Sequence, residues 1–249
     1  MNKQYIYKMP HTVLYSETDA RGLISLPAIF SLFQEGALLH AEQLGFGASY
    51  CQQEGLMWVL SRLMLEIDVF PRHRSRLQLH TWPKKPQGPF ALRDFRIIGE
   101  EGANLARATS SWLLLKLETM RPVRPQPLFD AYPLESLGDA LSDPAGKISE
   151  DDAACMSELE VEARYSDLDQ NMHVNNTRYV RWFLDCYAPN EMKHDGKLRF
   201  CINYLKESSF GDRVRLCRYD SPSSSTVRGF LKDDSQSFAA RVWLPEGPH

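Results

Sequence analysis

The sequence predicts an α+β protein built as two copies of one unit, each an antiparallel β-sheet wrapped around a long α-helix. Three observations carry this. A shift of 150 residues, without gaps, lays Tyr15-Ser16-Glu17-Thr18-Asp19 on Tyr165-Ser166-Asp167-Leu168-Asp169, with three identities and one Glu-for-Asp exchange. In both copies this elbow leads straight into an apolar helix pattern. After each helix come about four alternating segments bounded by turn residues.

In the first copy the helix runs from Leu26 to Gly45: Ser25 is placed to cap it, Pro27 suits its first turn and Gly45 its exit. Strand-like segments follow at Met57 to Val69, Leu77 to Trp82, Phe90 to Ile98 and Leu105 to Leu117. Residues 120–156 hold Pro122, Pro125, Pro127, Pro133 and Pro144, acidic residues and little periodicity, and read as an irregular linker. The expected division is therefore a first domain at 1–125, a linker at 126–156 and a second domain at 157–249.

The second copy opens with Leu159 to Tyr165, whose period of two marks a half-buried strand. Tyr179, Trp182, Phe183 and Cys186 then fall at i, i+3, i+4 and i+7, the apolar stripe of an amphipathic helix, with Asn175 or Asn176 as its cap. Strands are expected at Leu198 to Glu207, Arg213 to Tyr219, Thr226 to Leu231 and Phe238 to Leu244.

A hydrophobic fraction of 43% and an aromatic fraction of 11% over 249 residues suit packed cores and exclude general disorder. No run of about 18 apolar residues occurs and residues 1–11 lack an apolar stretch, so no membrane insertion is expected and a cytoplasmic location is. Five cysteines without a C-x-x-C pair read as reduced packing residues. Phosphate-loop, dinucleotide, zincin and hydrolase-elbow motifs are absent, so no cofactor is expected and side chains must carry any chemistry. Residues 1–128 carry 15 Lys+Arg and 11 Asp+Glu, net +4, whereas residues 129–249 carry 14 and 21, net −7. Arg72, Arg74 and Arg76, with Lys84 and Lys85 further on, form a basic cluster that reads either as a solvated loop or as a docking patch for an acidic partner. The acidic balance and the lack of interleaved aromatic residues speak against nucleic acid.

Chemistry concentrates in Asp167 to Asn176, which sets carboxylates, carboxamides and an imidazole before a helix. Such a set can hold an acyl carbonyl, orient a water and take its proton, with the positive end of the helix beside it. A thioester suits it, because a thiolate of pKa about 8.5 leaves with little proton donation. The bland alternative is an Asx-rich turn and cap. Only the second elbow has the cluster: Asn171 and His173 stand opposite Arg21 and Leu23, while Asp169 and Asp19 match. The first helix, with Ile29, Phe30, Phe33 and Ala37, is expected to shape a pocket for something apolar, or simply to fill the core. Metal binding by Asp169, Asn171 and His173 is set aside, since the ligands are too few.

At D-L-D-Q-N-M-H-V-N-N-T-R-Y-V-R-W (167–182) the chain resembles the acyl-acyl-carrier-protein (acyl-ACP) thioesterases, a double hot-dog family. L-P-A-I-F-S-L-F-Q-E-G-A (26–37), W-V-L-S-R (58–62), T-W-P (81–83) and Y-L-K-E-S (204–208) extend the resemblance over nearly the whole chain. It implies tandem hot-dog repeats, a catalytic set of Asp169, Asn171, His173 and Glu207, and acyl carrier protein as the partner that presents the substrate. Ser208 stands where many plant members have a cysteine, which disfavours a cysteine mechanism and leaves a serine nucleophile open. The implied reaction is hydrolysis of fatty acyl-ACP, with Glu207 or Asp169 activating water. An acyl-CoA hydrolase and a non-catalytic acyl-binding module are the alternatives, and homodimerisation stays open.

Overall fold

The computed structural model describes residues 5–130, 138–150, 154–191 and 196–244. The chain divides into two compact units, Met1–Ala145 and Gly146–His249. The first contains β1 (Tyr7–Thr12), α1 (Leu26–Leu44), α2 (Ala48–Glu54), β2 (Leu56–Ile67), β3 (Arg76–Gln87), β4 (Phe90–Gly99), β5 (Asn104–Lys116), β6 (Arg121–Val123) and α3 (Gln126–Phe129). Its antiparallel strands lie in the order β1-β3-β4-β5-β2, with β6 paired to β5. The second contains β7 (Ser157–Glu162), α4 (Asn176–Asp185), β8 (Leu198–Tyr204), β9 (Arg213–Asp220), β10 (Ser224–Phe230) and β11 (Gln236–Trp243). Its order is β7-β9-β10-β11-β8. Each unit thus lays its first, third, fourth, fifth and second strands side by side, which is the hot-dog arrangement twice over.

Helix α1 is buried along most of its length. Ser25 Oγ accepts from Ala28 N at 3.4 Å, and Gly45, at φ 87°, lets Phe46 N return to Ala41 O at 3.1 Å. The helix lies close on β3: a Cβ at Gly36 would stand 2.5 Å from Leu79 Cδ2. Helix α4 has 10 residues and buries one face, through Tyr179, Val180, Trp182 and Phe183, with Cys186 as its C-cap. Burying each such large side chain is worth about 1.5–3 kcal/mol. Among the described residues no helix is long and apolar enough to cross a membrane.

The segment expected to be an irregular linker carries structure. Arg121–Val123 pairs with β5, and Phe129 packs against Phe46 at 4.9 Å between ring centroids. Ala140 N donates to Asp94 Oδ2 in the first unit, while Ile148 N donates to Asn203 Oδ1 at 2.8 Å in the second. The boundary between units therefore falls at 145/146. Strand β3 also runs past Trp82 to Gln87, because its register slips between Lys84 and Gln87 and the irregularity absorbs Pro86.

Candidate active site

The second elbow is a hydrogen-bonded scaffold. Asp167 closes a 3-10 turn: its Oδ2 accepts from Arg164 N at 2.8 Å, its Oδ1 pairs with Arg178, and its carbonyl accepts from Asn175 N at 2.8 Å. The chain then doubles back through Asp169–His173. Asp169 N donates to His173 O at 2.8 Å and Met172 N to Asp169 O at 3.0 Å. Asp169 Oδ1 accepts from the N–H groups of Asn171 at 2.8 Å and His173 at 3.4 Å, an Asx turn that needs a short carboxylate. Met172 takes φ 63°, a left-handed conformation that a side chain occupies at some cost.

Val174 N donates to Ser208 O at 2.8 Å and His173 bridges to Ser209, so the chain after β8 runs beside the elbow. That pairing brings Glu207 to the histidine, with Oε2 3.6 Å from His173 Nδ1. The two side chains are 53% and 32% exposed, so water reaches both. The separation exceeds a hydrogen bond.

Asn175 is the N-cap of α4: its Oδ1 accepts from Thr177 N at 2.9 Å and Thr177 Oγ1 at 2.7 Å, and its carbonyl from Arg178 N at 2.8 Å. Two helix-start amides expected to hold a carbonyl are therefore engaged, and what α4 offers is the positive end of its dipole. Ser208 is fully buried; its N–H donates to Tyr179 Oη at 3.0 Å and its hydroxyl joins Ser237 Oγ at 2.9 Å. Ser237 in turn donates to Lys206 O at 2.9 Å. Ser208 is thus tied into the core, which speaks against a serine nucleophile. Tyr179, read from sequence only as part of an apolar stripe, also supports the segment after β8 that carries Glu207, and burial pushes its phenol pKa up.

The first elbow repeats this scaffold at the 150-residue offset. Asp19 N donates to Leu23 O at 2.8 Å, Gly22 N to Asp19 O at 2.9 Å, and Asp19 Oδ1 accepts from Arg21 N at 2.9 Å and Leu23 N at 3.1 Å. Gly22, at φ 71°, stands for Met172. Ile24 N donates to Pro71 O and Leu23 bridges to Arg72, so Phe70 occupies the place of Glu207. Here Arg21 clasps Asp19 Oδ2 through Nε at 3.0 Å and Nη2 at 2.7 Å. In the second elbow no described residue pairs with Asp169 Oδ2.

Other expected site residues land as follows. Asp169, Asn171 and His173 share one turn, with Asn171 exposed. Ile29, Phe30 and Phe33 are no more than 3% exposed, and Phe33 stacks on Phe95 at 4.6 Å. They pack in the core; the cavity of the first unit lies further along α1, against Ala37, Leu38 and Ala41. Arg72, Arg74 and Arg76 are exposed, and Arg76 reaches Glu100 only at 3.9 Å. Lys85 is exposed, but Lys84 is not part of that surface. Strand alternation turns Lys84 inward, where its Nζ lies 2.8 Å from Asp139 and 3.4 Å from Asp94 and its side chain is 15% exposed.

Comparison with known proteins gives matches over both units. Residues 4–129 match the family described as acyl-ACP thioesterase N-terminal domain, and residues 149–237 match its C-terminal domain. Oleoyl-acyl carrier protein thioesterase 2, chloroplastic, of Arabidopsis thaliana is 27% identical over 237 residues, covering 86% of this chain and 63% of the relative. The palmitoyl-acyl carrier protein thioesterase of the same plant is 24% identical over 215 residues, covering 81% and 52%. The chain thus spans between about half and two thirds of the length of these relatives. Among solved structures, an acyl-ACP thioesterase from Bacteroides thetaiotaomicron superposes with TM-score 0.80 at 24% identity, covering 96% of this chain and 97% of that one. The 12:0-ACP thioesterase from Umbellularia californica does so with TM-score 0.80 at 22% identity, covering 97% and 98%. These likenesses show the fold, and the matches to both family domains show that the chain belongs to the acyl-ACP thioesterase family.

Proposed function

We propose that this chain hydrolyses the thioester of fatty acyl-ACP and releases a free fatty acid. The observation that carries the reading is the approach of Glu207 to His173, 3.6 Å apart on a turn that also presents Asn171. In this reading Glu207 accepts a proton from water, with His173 orienting that water and sharing the proton. The oxygen attacks the thioester carbonyl, and the oxyanion is held by the Asn171 carboxamide beside the positive end of α4. The carbon–sulfur bond then breaks and the thiolate leaves with little need of an acid. Asp169 supports the turn, because one of its oxygens is committed to two backbone amides.

Arg72, Arg74 and Arg76 are the proposed docking surface for an acidic carrier protein, in a cytoplasmic setting, and a homodimer belongs to the same reading. The test is thiol release from a panel of acyl-ACPs of differing length, with the matched acyl-CoAs and a Glu207→Gln control. Cleavage of acyl-ACP that weakens as salt is raised supports the proposal. Preference for acyl-CoA makes the chain an acyl-CoA hydrolase, and binding without thiol release makes it an acyl-binding module.

A further inference from the structure

Two of the five cysteines meet a carboxylate at the edge of the second unit's sheet, in a group that thioester hydrolysis does not use. Strand β7 is the last in its order and pairs with β9 so that Glu158 stands opposite Cys217. Directly opposed residues of an antiparallel pair stand close on one face, and the Cys217 thiol donates to Glu158 Oε1 at 3.5 Å. Cys155 lies just before β7, where Met156 N donates to Arg218 O at 2.8 Å and keeps the chain beside β9. The two sulfurs and a Glu158 oxygen all lie within 4.8 Å of one another. Cys217 is 1% exposed, Cys155 is half-buried and Glu158 is exposed, so the group opens to solvent on its carboxylate side.

Two sulfurs and a carboxylate form a donor set for a soft cation. Around a tetrahedral zinc, with sulfur at about 2.3 Å and oxygen at about 2.1 Å, neighbouring donor atoms stand roughly 3.6–3.8 Å apart. The Cys217 and Glu158 atoms are already that close, and Cys155 has to move by only about 1 Å or less. Thiolate donors select zinc-like ions over magnesium or calcium. A disulfide between the two sulfurs would leave the carboxylate idle. A positive group already rests on the same atoms: Arg215 Nη1 donates to Cys217 Sγ at 3.0 Å and to Glu158 Oε1 at 3.3 Å. Its Nη2 donates to Asp234 Oδ1 at 3.0 Å and its guanidinium lies over the Phe230 ring at 5.0 Å, so it keeps two partners when it gives up the sulfur. Arg215 thus marks where a cation is drawn and competes with it for that place.

We propose that Cys155, Glu158 and Cys217 bind one thiolate-preferring divalent cation of the zinc class, with water as the fourth ligand. On binding, each thiol releases its proton to solvent and Arg215 turns to Asp234. The ion then ties the chain entering β7 to β9. The test titrates zinc and cadmium ions into the full chain with its thiols kept reduced by a phosphine. Heat gives the zinc stoichiometry, and the ultraviolet charge-transfer band from thiolate to cadmium reports sulfur ligation. One equivalent of each ion should bind. Cys155→Ser and Cys217→Ser should each diminish the band, while Cys51→Ser should leave it unchanged. Glu158→Gln should weaken binding at least about tenfold, a scale that even outer-shell partners of a metal reach, and Arg215→Met should tighten it. Zinc should raise the Tm of the unaltered chain and not that of Cys155→Ser. Circular dichroism checks the folding of each variant; should Cys217→Ser not fold, Cys155→Ser and Glu158→Gln decide the matter. Absence of the band, a band undiminished in Cys155→Ser, affinity unchanged by Glu158→Gln, or binding not tightened by Arg215→Met would each overturn the site.

Discussion

The elbows at Asp19–Leu23 and Asp169–His173 share their backbone hydrogen bonds and differ in what they present. In the first, Arg21 closes on the aspartate and lies over the Phe70 ring at 6.0 Å, so the turn is a clasp. In the second, Asn171 leaves one Asp169 oxygen open, and a histidine and a glutamate stand where Leu23 and Phe70 do. The lesson is that the turn's geometry and its chemistry are separable. An aspartate and a left-handed residue make the turn in both, and three other positions set them apart; in the reading proposed above, those three make the second elbow reactive.

The largest expected effect strikes the proposed catalytic residues alone. Glu207→Gln and His173→Ala should each lower kcat for thiol release about 100-fold or more, the usual scale for a general base. Phe70→Leu at the matching place should leave kcat unchanged. Next, Asn171→Arg would rebuild the first elbow's clasp in the second. We expect about a 100-fold loss of kcat, as when one oxyanion donor is removed, and a stability change under about 1 kcal/mol, since the new ion pair is at the surface. Steady-state kinetics with denaturant unfolding separate the two quantities; full activity in this variant would mean that Asn171 is only a turn residue.

The shared scaffold predicts a matched pair of losses. Asp19→Ala and Asp169→Ala each strip the acceptor from two backbone amides and should cost about 1–3 kcal/mol apiece by denaturant unfolding. A large difference between them would break the equivalence of the elbows.

A fourth test moves the comparison to the interior of the first unit. Burial raises the Asp94 pKa, so the folded protein takes up that proton at a higher pH than the unfolded chain does. This group's contribution to stability therefore improves as pH falls through its folded pKa and is worst above it. The stability difference between the unaltered chain and Asp94→Asn should shift in favour of the unaltered chain on acidification, as measured by Tm across the acid range. The smallest effect concerns the left-handed position: Met172→Gly should gain, and Gly22→Met lose, about 1 kcal/mol of unfolding free energy.

The order of strand, elbow, helix and sheet was legible because its signals are local: the Tyr-Ser-acid repeat, the caps of α1 and the stripe from Tyr179 to Phe183. The short elements were not, because tertiary packing decides them. Phe129 is helical where it meets Phe46, and Arg121–Val123 is a strand because β5 offers an edge. Lys84 looked like part of a surface patch until its alternate position on β3 set it against a buried carboxylate. The apolar stretch of α1 was recognisable, but not which turns meet the core and which meet a cavity; Ile29 and Phe33 differ from Ala37 in what lies opposite. The meeting of His173 with Glu207, 34 positions later, followed from family resemblance alone, since no spacing rule joins a turn to the irregular segment after a distant strand.

Tyr179 links interior packing to kinetics. Its ring sits against Trp182, Tyr204 and Phe238, with centroids 5.1 to 5.6 Å away, and its hydroxyl holds the amide one residue beyond Glu207. The carboxylate's place is thus gauged from within, by a buried phenol. Substitutions that let this ring shift, such as Phe238→Leu, should register as slowed turnover at temperatures where the fold is still intact, because displacements near 1 Å can cost about 100-fold in rate.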